Sequence, residues 1–217
     1  MLFRSTQSGD LISPCSSGAT YESAMKVINL KANQKMVTSH ALASMGFGLT
    51  GGIGLSFAYP QSRVIVFEGD GGFSQNLQEL STVRANDLNM KIFIIDNGGY
   101  MSIKRNQQRA FDGHYVGCDR NSGLMMPDWK LIASAFQIPY FEVRKESLKS
   151  QDFIKLFNTS GPNIFHAKID PNQFNFPNIS SSIDKNGIVT SNPLHKMNPP
   201  LSEEHSKIYL PYLSSKV

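Results

Sequence analysis

Two short apolar runs, Val64-Ile65-Val66-Phe67 and Ile92-Phe93-Ile94-Ile95, each run into oxygen-bearing polar residues, and this pairing constrains the fold more than any other feature of the chain. The first leads through Glu68 to Gly69-Asp70-Gly71-Gly72, the second directly to Asp96-Asn97. Both are β-branched or aromatic and apolar on successive residues, as strands covered on both faces by helices must be. Between them, Leu77, Leu80 and Val83 recur at helical spacing, which predicts a helix over 76–87 opened by Gly71 and Gly72. Only a short loop remains before the second run, so the two strands are expected to be parallel and joined by a right-handed crossover. In open α/β sheets ligands bind at the carboxyl ends of strands, which is where Asp70 and Asn97 fall. Mg²⁺ shares an octahedral oxygen shell between one or two side chains and substrate phosphates. A helix start adds free N–H groups and a positive dipole end. The pattern predicts a clamp for Mg²⁺ and a diphosphate.

The rest of the chain alternates in the same way. Residues 1–13 read as a polar lead-in and 35–38 as a short strand. Residues 42–59 hold Gly46, Gly48, Gly51, Gly52 and Gly54 among apolar side chains. Each glycine costs a helix about 1 kcal/mol relative to Ala, so a helix here needs close packing on a neighbour, and Pro60 ends it. Residues 63–68 and 91–96 are the two central strands. Residues 98–126 have weak periodicity and many glycines, which predicts a long loop over the site. Pro127 is expected to open a helix reaching Phe136. A strand over 140–143, a helix over 147–157 and a last strand over 163–169 complete an α/β fold, a mostly parallel sheet with helices on both faces. From Pro171 onward prolines recur among Asn and Ser, and neither a helix nor a central strand is expected. The chain therefore divides into a domain over 1–170 and a Pro/Asn-rich arm over 171–217. Phe174, Phe176, Leu194, Ile208, Tyr209 and Leu210 would anchor that arm on this domain or on a partner.

Gly69-Asp70-Gly71, closed by Asn97, resembles the thiamine diphosphate fingerprint, a Gly-Asp-Gly opening that ends on an Asn-Asn pair. Here the pair is Asp96-Asn97, a departure at its first member only. Ala41-Leu42-Ala43-Ser44-Met45-Gly46-Phe47-Gly48-Leu49 before it, Phe73 with Asn76-Leu77-Gln78-Glu79-Leu80 after it, and Pro127-Asp128-Trp129 further on are similar to segments of the acetolactate synthase-like group. The resemblance runs from about residue 15 to about residue 170. It implies the thiamine diphosphate-binding fold, with thiamine diphosphate and Mg²⁺ as cofactors. It also implies that Asp70 and Asn97 ligate Mg²⁺ by side chain and Gly99 by its carbonyl, while Gly69, Gly71 and Gly72 meet the diphosphate. Met45, in the segment that includes Ala43, would wedge under the cofactor and hold its aminopyrimidine over the thiazolium. Ser17 and Gly18 stand where the family approaches the diphosphate from a neighbouring strand, and Tyr100 and Met101 would line the substrate cavity.

The implied reaction is decarboxylation of a 2-oxo acid such as pyruvate, followed by carboligation to an acceptor carbonyl. In the family the Glu that activates the cofactor comes from a pyrimidine-binding domain, normally on the opposing subunit. Nothing in this chain resembles that domain, Glu22, Glu79 and Glu142 are assigned no such role, and the catalytic residues stay unidentified. Two explanations stand, a fragment or one subunit of a split enzyme, so a homo- or hetero-oligomer with a pyrimidine-domain chain is expected and the chain alone should be inactive.

Composition narrows the alternatives. A net charge of +4, with Lys and Arg scattered, argues against a nucleic-acid surface. No apolar stretch is long enough for a membrane span, and the start lacks a secretory apolar region, so the expected compartment is the cytosol. Cys15 and Cys118 suggest packing residues, and the five histidines are too scattered for a zinc set. A nicotinamide-binding Rossmann unit is a rival, because Gly46-Phe47-Gly48-Leu49-Thr50-Gly51 fits its glycine pattern and Glu68 lies near its ribose-binding position. Against it, a Rossmann motif needs its first glycine at a strand end, and Gly46 is well past Thr38. A module that keeps the cofactor fold without chemistry is the second rival.

Overall fold

The computed structural model describes residues 5–173, 177–179, 181–193 and 195–213. It divides into two compact units, Met1–Asn172 and Gln173–Val217. In the first, six strands form one sheet in the order β2-β1-β3-β4-β6-β5: β1 (Leu11–Pro14), β2 (Lys35–Met36), β3 (Val64–Gly69), β4 (Met90–Asp96), β5 (Tyr140–Glu142) and β6 (Asn163–Lys168). Every neighbouring pair is parallel, with Val64 opposite Met90 and Lys91 opposite Asn163. The helices are α1 (Gly18–Val27), α2 (Phe47–Ala58), α3 (Asp70–Phe73), α4 (Leu80–Ala85), α5 (Met101–Ala110), α6 (Trp129–Ala135) and α7 (Gln151–Asn158).

Residues of the central strands alternate between two apolar layers, as the two-residue period of a strand requires. Val64, Val66, Met90, Ile92, Ile94 and Ile164 pack with Leu49 and Leu55 of α2, Leu80 and Val83 of α4, and Trp129 and Ala133 of α6. Ile65, Phe67, Phe93 and Phe165 pack in the other layer with Phe153 and Phe157 of α7. The sheet is thus covered on both faces, which is why the runs 64–67 and 92–95 carry no polar alternation.

Several expected elements differ. Residues 11–14 are not a lead-in but the buried strand β1, paired with β3. The helix expected over 76–87 is a 3-10 turn over Leu77–Glu79 followed by α4, and α3 precedes it as a separate short turn at the glycines. The long loop over 98–126 contains α5, whose only buried residue is Met101. The helix attributed to Pro127 starts at Trp129, where the Asp128 carboxylate accepts from the Lys130 and Leu131 N–H groups at 2.9 and 3.1 Å. The 147–157 helix is a 3-10 turn over Ser147–Lys149 followed by α7, which Ser150 caps.

The second unit is not devoid of regular structure, as its prolines suggested. Short antiparallel pairs join β7 (Asn178–Ile179) to β10 (Met197–Asn198) and β8 (Ser181–Ile183) to β9 (Val189–Ser191), and α8 (Glu203–Tyr209) follows. Local pairing and a Ser202 cap, which accepts from His205 N–H at 3.2 Å, let these elements form between the prolines. Of the expected anchors, Ile208 and Tyr209 are exposed, and Phe174, Phe176 and Leu194 lie outside the described residues.

Candidate cofactor site

The carboxyl ends of β1, β3 and β4 open into a cleft of about 230 Å³. It is lined by Ser17 and Gly18 at the start of α1, by Met45, by Gly69, Asp70, Gly71 and Gly72, and by Asn97, Gly99, Tyr100 and Met101. Strands fix this convergence: β3 and β4 pair in register up to Gly69 opposite Ile95, so Asp70 and Asn97 leave the sheet side by side. Of the expected site residues only Ala43 is not part of the lining. It sits in an exposed turn with φ of 53°.

Asp70 is buried at the start of α3, and its Oδ2 accepts from the Gly99 N–H at 2.8 Å. Burial, and then the Asp96 carboxylate beside it, raises the Asp70 carboxyl well above the usual carboxylate range. The Asn97 Oδ1 is buried and has no hydrogen-bond donor. Gly99 adopts φ of 144°, and a Cβ there would overlap the Cys118 carbonyl, so only glycine fits at this close approach. The Gly99 carbonyl accepts from Met101 N–H at 3.2 Å and keeps a second lone pair. The Tyr100 ring lies against Gly71, and its hydroxyl accepts from Gln75 Nε2 at 2.7 Å. Met45, with 46% of its surface exposed, projects at the rim of the cleft. Ser17 precedes α1 without spending its hydroxyl on a cap.

These features fit a divalent cation with a diphosphate. A buried acid whose charged form is disfavoured and an orphaned amide oxygen line one cleft, and a hard cation relieves both. Among the described residues no three His, Cys, Asp or Glu side chains gather to hold a metal by themselves, so an ion here needs oxygens from its ligand.

Glu68 is a cleft residue that sequence reasoning missed as part of this site. It is buried, and burial pushes it up to about 8 despite Oε1 accepting from the Gly48 N–H at 2.6 Å. Its carboxylate holds the start of α2, which leaves it no ribose to bind. Gly46, moreover, follows a turn and precedes α2 rather than ending a strand. The nicotinamide reading loses both its supports. The only signal for Glu68 in the sequence was an acid placed at the end of an apolar strand.

None of Glu22, Glu79 and Glu142 lines the cleft. No helix among the described residues is long and apolar enough to cross a membrane.

Comparison with known proteins agrees with this geometry. Residues 16–167 match the family described as thiamine pyrophosphate enzyme, C-terminal TPP binding domain. The chain is 32% identical over 137 residues to acetolactate synthase isozyme 2 large subunit of Escherichia coli (strain K12), covering 63% of this chain and 24% of that one. It is 29% identical over 162 residues to the chloroplastic acetolactate synthase 1 of Zea mays, covering 73% of this chain and 25% of that one. The chain thus spans about a quarter of the length of these relatives. A thiamine diphosphate-dependent 4-hydroxybenzoylformate decarboxylase of Rhodococcus jostii RHA1 shares the fold, with a TM-score of 0.64 over 78% of this chain and 32% of that one, at 19% identity. The sheet order, the cleft and the family match lead to one conclusion: the chain belongs to the thiamine pyrophosphate enzyme family through its C-terminal TPP-binding domain, and the relatives it is similar to are acetolactate synthases.

Proposed function

We propose that this chain is the diphosphate- and Mg²⁺-binding part of an acetolactate synthase-like enzyme that decarboxylates a 2-oxo acid and joins the product to an acceptor carbonyl. The observation that carries the metal assignment is the donor-less Asn97 Oδ1 in the same cleft as the buried Asp70 carboxylate. In this reading Asp70, Asn97 and the Gly99 carbonyl hold Mg²⁺. Gly69, Gly71, Gly72, Ser17 and Gly18 receive the diphosphate, Met45 supports the rings, and Tyr100 and Met101 border the substrate. Ala43 acts through the turn that sets Met45. When bound, thiamine diphosphate supplies the electron sink for 2-oxo acid chemistry, and the residues here anchor and orient it.

The activating carboxylate belongs to a pyrimidine-binding domain on another chain or on a longer form of this one, in an oligomer. Both cysteines are buried and unbridged, which suits a reducing compartment such as the cytosol.

Calorimetric titration tests the site. Thiamine diphosphate should bind only with Mg²⁺ present, and Asp70→Ala should weaken that binding about 100-fold or more, because the cation then lacks its one charged protein ligand. Unchanged affinity in a folded Asp70→Ala variant, or preference for NADH over thiamine diphosphate, would overturn the assignment.

A further inference from the structure

Asp96 and Asn97 are consecutive at the end of β4, yet they face different spaces. Asn97 lines the cofactor cleft, whereas Asp96 lines a second cavity of about 390 Å³ that shares no lining residue with the cleft. Alternation along an extended strand produces this divergence. Both Asp96 oxygens have partners on that second side, although the carboxylate also reaches the Asp70 side chain. Oδ1 accepts from the Gly98 N–H at 2.9 Å, and Oδ2 meets His166 Nε2 at 2.8 Å. His166 is buried on β6, and its Nδ1 meets the Tyr140 hydroxyl of β5 at 2.7 Å. A phenol donating to Nδ1 leaves the proton of a neutral imidazole on Nε2, where it points at the carboxylate. Three adjacent strands, β5, β6 and β4, therefore contribute one link each to a single line of hydrogen bonds.

The line matters because Asp96 also stands close to Asp70. A carboxylate free to turn into the cleft would outcompete the Asn97 amide for a divalent cation, since charge dominates ligation by hard oxygens. We propose that His166, held by Tyr140, is a positioning residue for the cation: it keeps the Asp96 carboxylate out of the coordination shell so that the loop from Asp96 to Gly99 presents Asn97 instead. This rests on the Mg²⁺ site proposed above.

The test titrates Mg²⁺, and separately Ca²⁺, into the whole chain with excess thiamine diphosphate and reads bound cofactor by calorimetry. His166→Ala should weaken Mg²⁺ binding about tenfold, because the released Asp96 carboxylate displaces the Asn97 amide and distorts the near-octahedral shell that Mg²⁺ demands. It should also lower the preference for Mg²⁺ over Ca²⁺, because an added carboxylate suits the larger, more flexible Ca²⁺ shell. His166→Gln, which returns an N–H donor near the Nε2 position, should recover most of both, and Tyr140→Phe should lie between. A purely structural role would lower stability without moving the ion preference. Unchanged Mg²⁺ affinity and preference in folded His166→Ala overturns the proposal, as does Gln behaving like Ala. Should His166→Ala fail to fold, Tyr140→Phe decides, and an unchanged ion preference there overturns it. Cation-independent cofactor binding by the unaltered chain would instead overturn the Mg²⁺ site itself.

Discussion

Lys91 is fully buried in β4, and its ammonium donates to Asn89 Oδ1 at 3.0 Å and to the carbonyls of Thr159 and Gly161 at 2.7 and 2.6 Å. Burial, and then the Arg63 guanidinium, lowers it to about 8, against opposing pulls from Asp10 and Asp87. Its folded value thus lies below its unfolded one, so the unfolded chain binds more protons between about pH 8 and 10.5. Stability from this group should rise as pH rises across that window, by up to about 3 kcal/mol. Urea unfolding of the native chain and of Lys91→Met at both ends of the window isolates it, since other groups titrate in both proteins alike. The Met variant should be less stable at neutral pH, having removed the ammonium that donates to Asn89 Oδ1 and to the Thr159 and Gly161 carbonyls, and should lack the extra rise. An identical pH slope in the two proteins would refute this account. The buried Lys91 network, Glu68 and His166 share one reason for being illegible in the sequence: the partners of each come from elements far away along the chain. Asp70 and Asn97 were legible because strand ends and local turns alone place them.

The glycines of α2 divide by what stands in front of them. A Cβ on Gly52 would come within 2.7 Å of Val66 Cγ2 and 2.9 Å of Met90 Cε, whereas one on Gly54 meets nothing within 4 Å. Gly52→Ala should therefore cost about 1–3 kcal/mol through overpacking against β3 and β4, outweighing the helix propensity gained. Gly54→Ala should stabilise by up to about 1 kcal/mol. Denaturant midpoints measure both, and equal shifts of one sign would mean that α2 does not press on the sheet through Gly52. That close packing was readable from the glycine content, as were β3 and β4 from apolar runs that leave little choice. The strand β1 was not, because Leu11-Ile12-Ser13-Pro14 is short and ends in a residue that ordinarily argues against a strand. The helix α5 was hidden for the opposite reason. Met-Ser-Ile-Lys-Arg-Asn-Gln-Gln-Arg-Ala contains good helix formers, but with one buried residue it presents no apolar stripe.

Every buried residue among those described lies at or before His166, in the unit that carries the cleft. That unit holds both apolar layers and the whole six-stranded sheet, so its ability to present the cleft does not wait on a partner chain. Binding and turnover should then separate. Anchoring needs only the groups at the ends of β1, β3 and β4, while activation needs a carboxylate facing the far end of the cofactor. The two acids in the lining are both committed, Glu68 to the Gly48 N–H and Asp70 to the Gly99 N–H and the proposed cation. The isolated chain should accordingly bind thiamine diphosphate with Mg²⁺ at one per chain, yet consume pyruvate no faster than free cofactor does. Mixing it with a chain that carries a pyrimidine-binding domain should bring activity, and replacing the Asp70 side chain should abolish that activity together with binding. Full turnover by the isolated chain would show that one of its own carboxylates serves the role assigned to a partner, with Glu68 the first to test by Glu68→Gln.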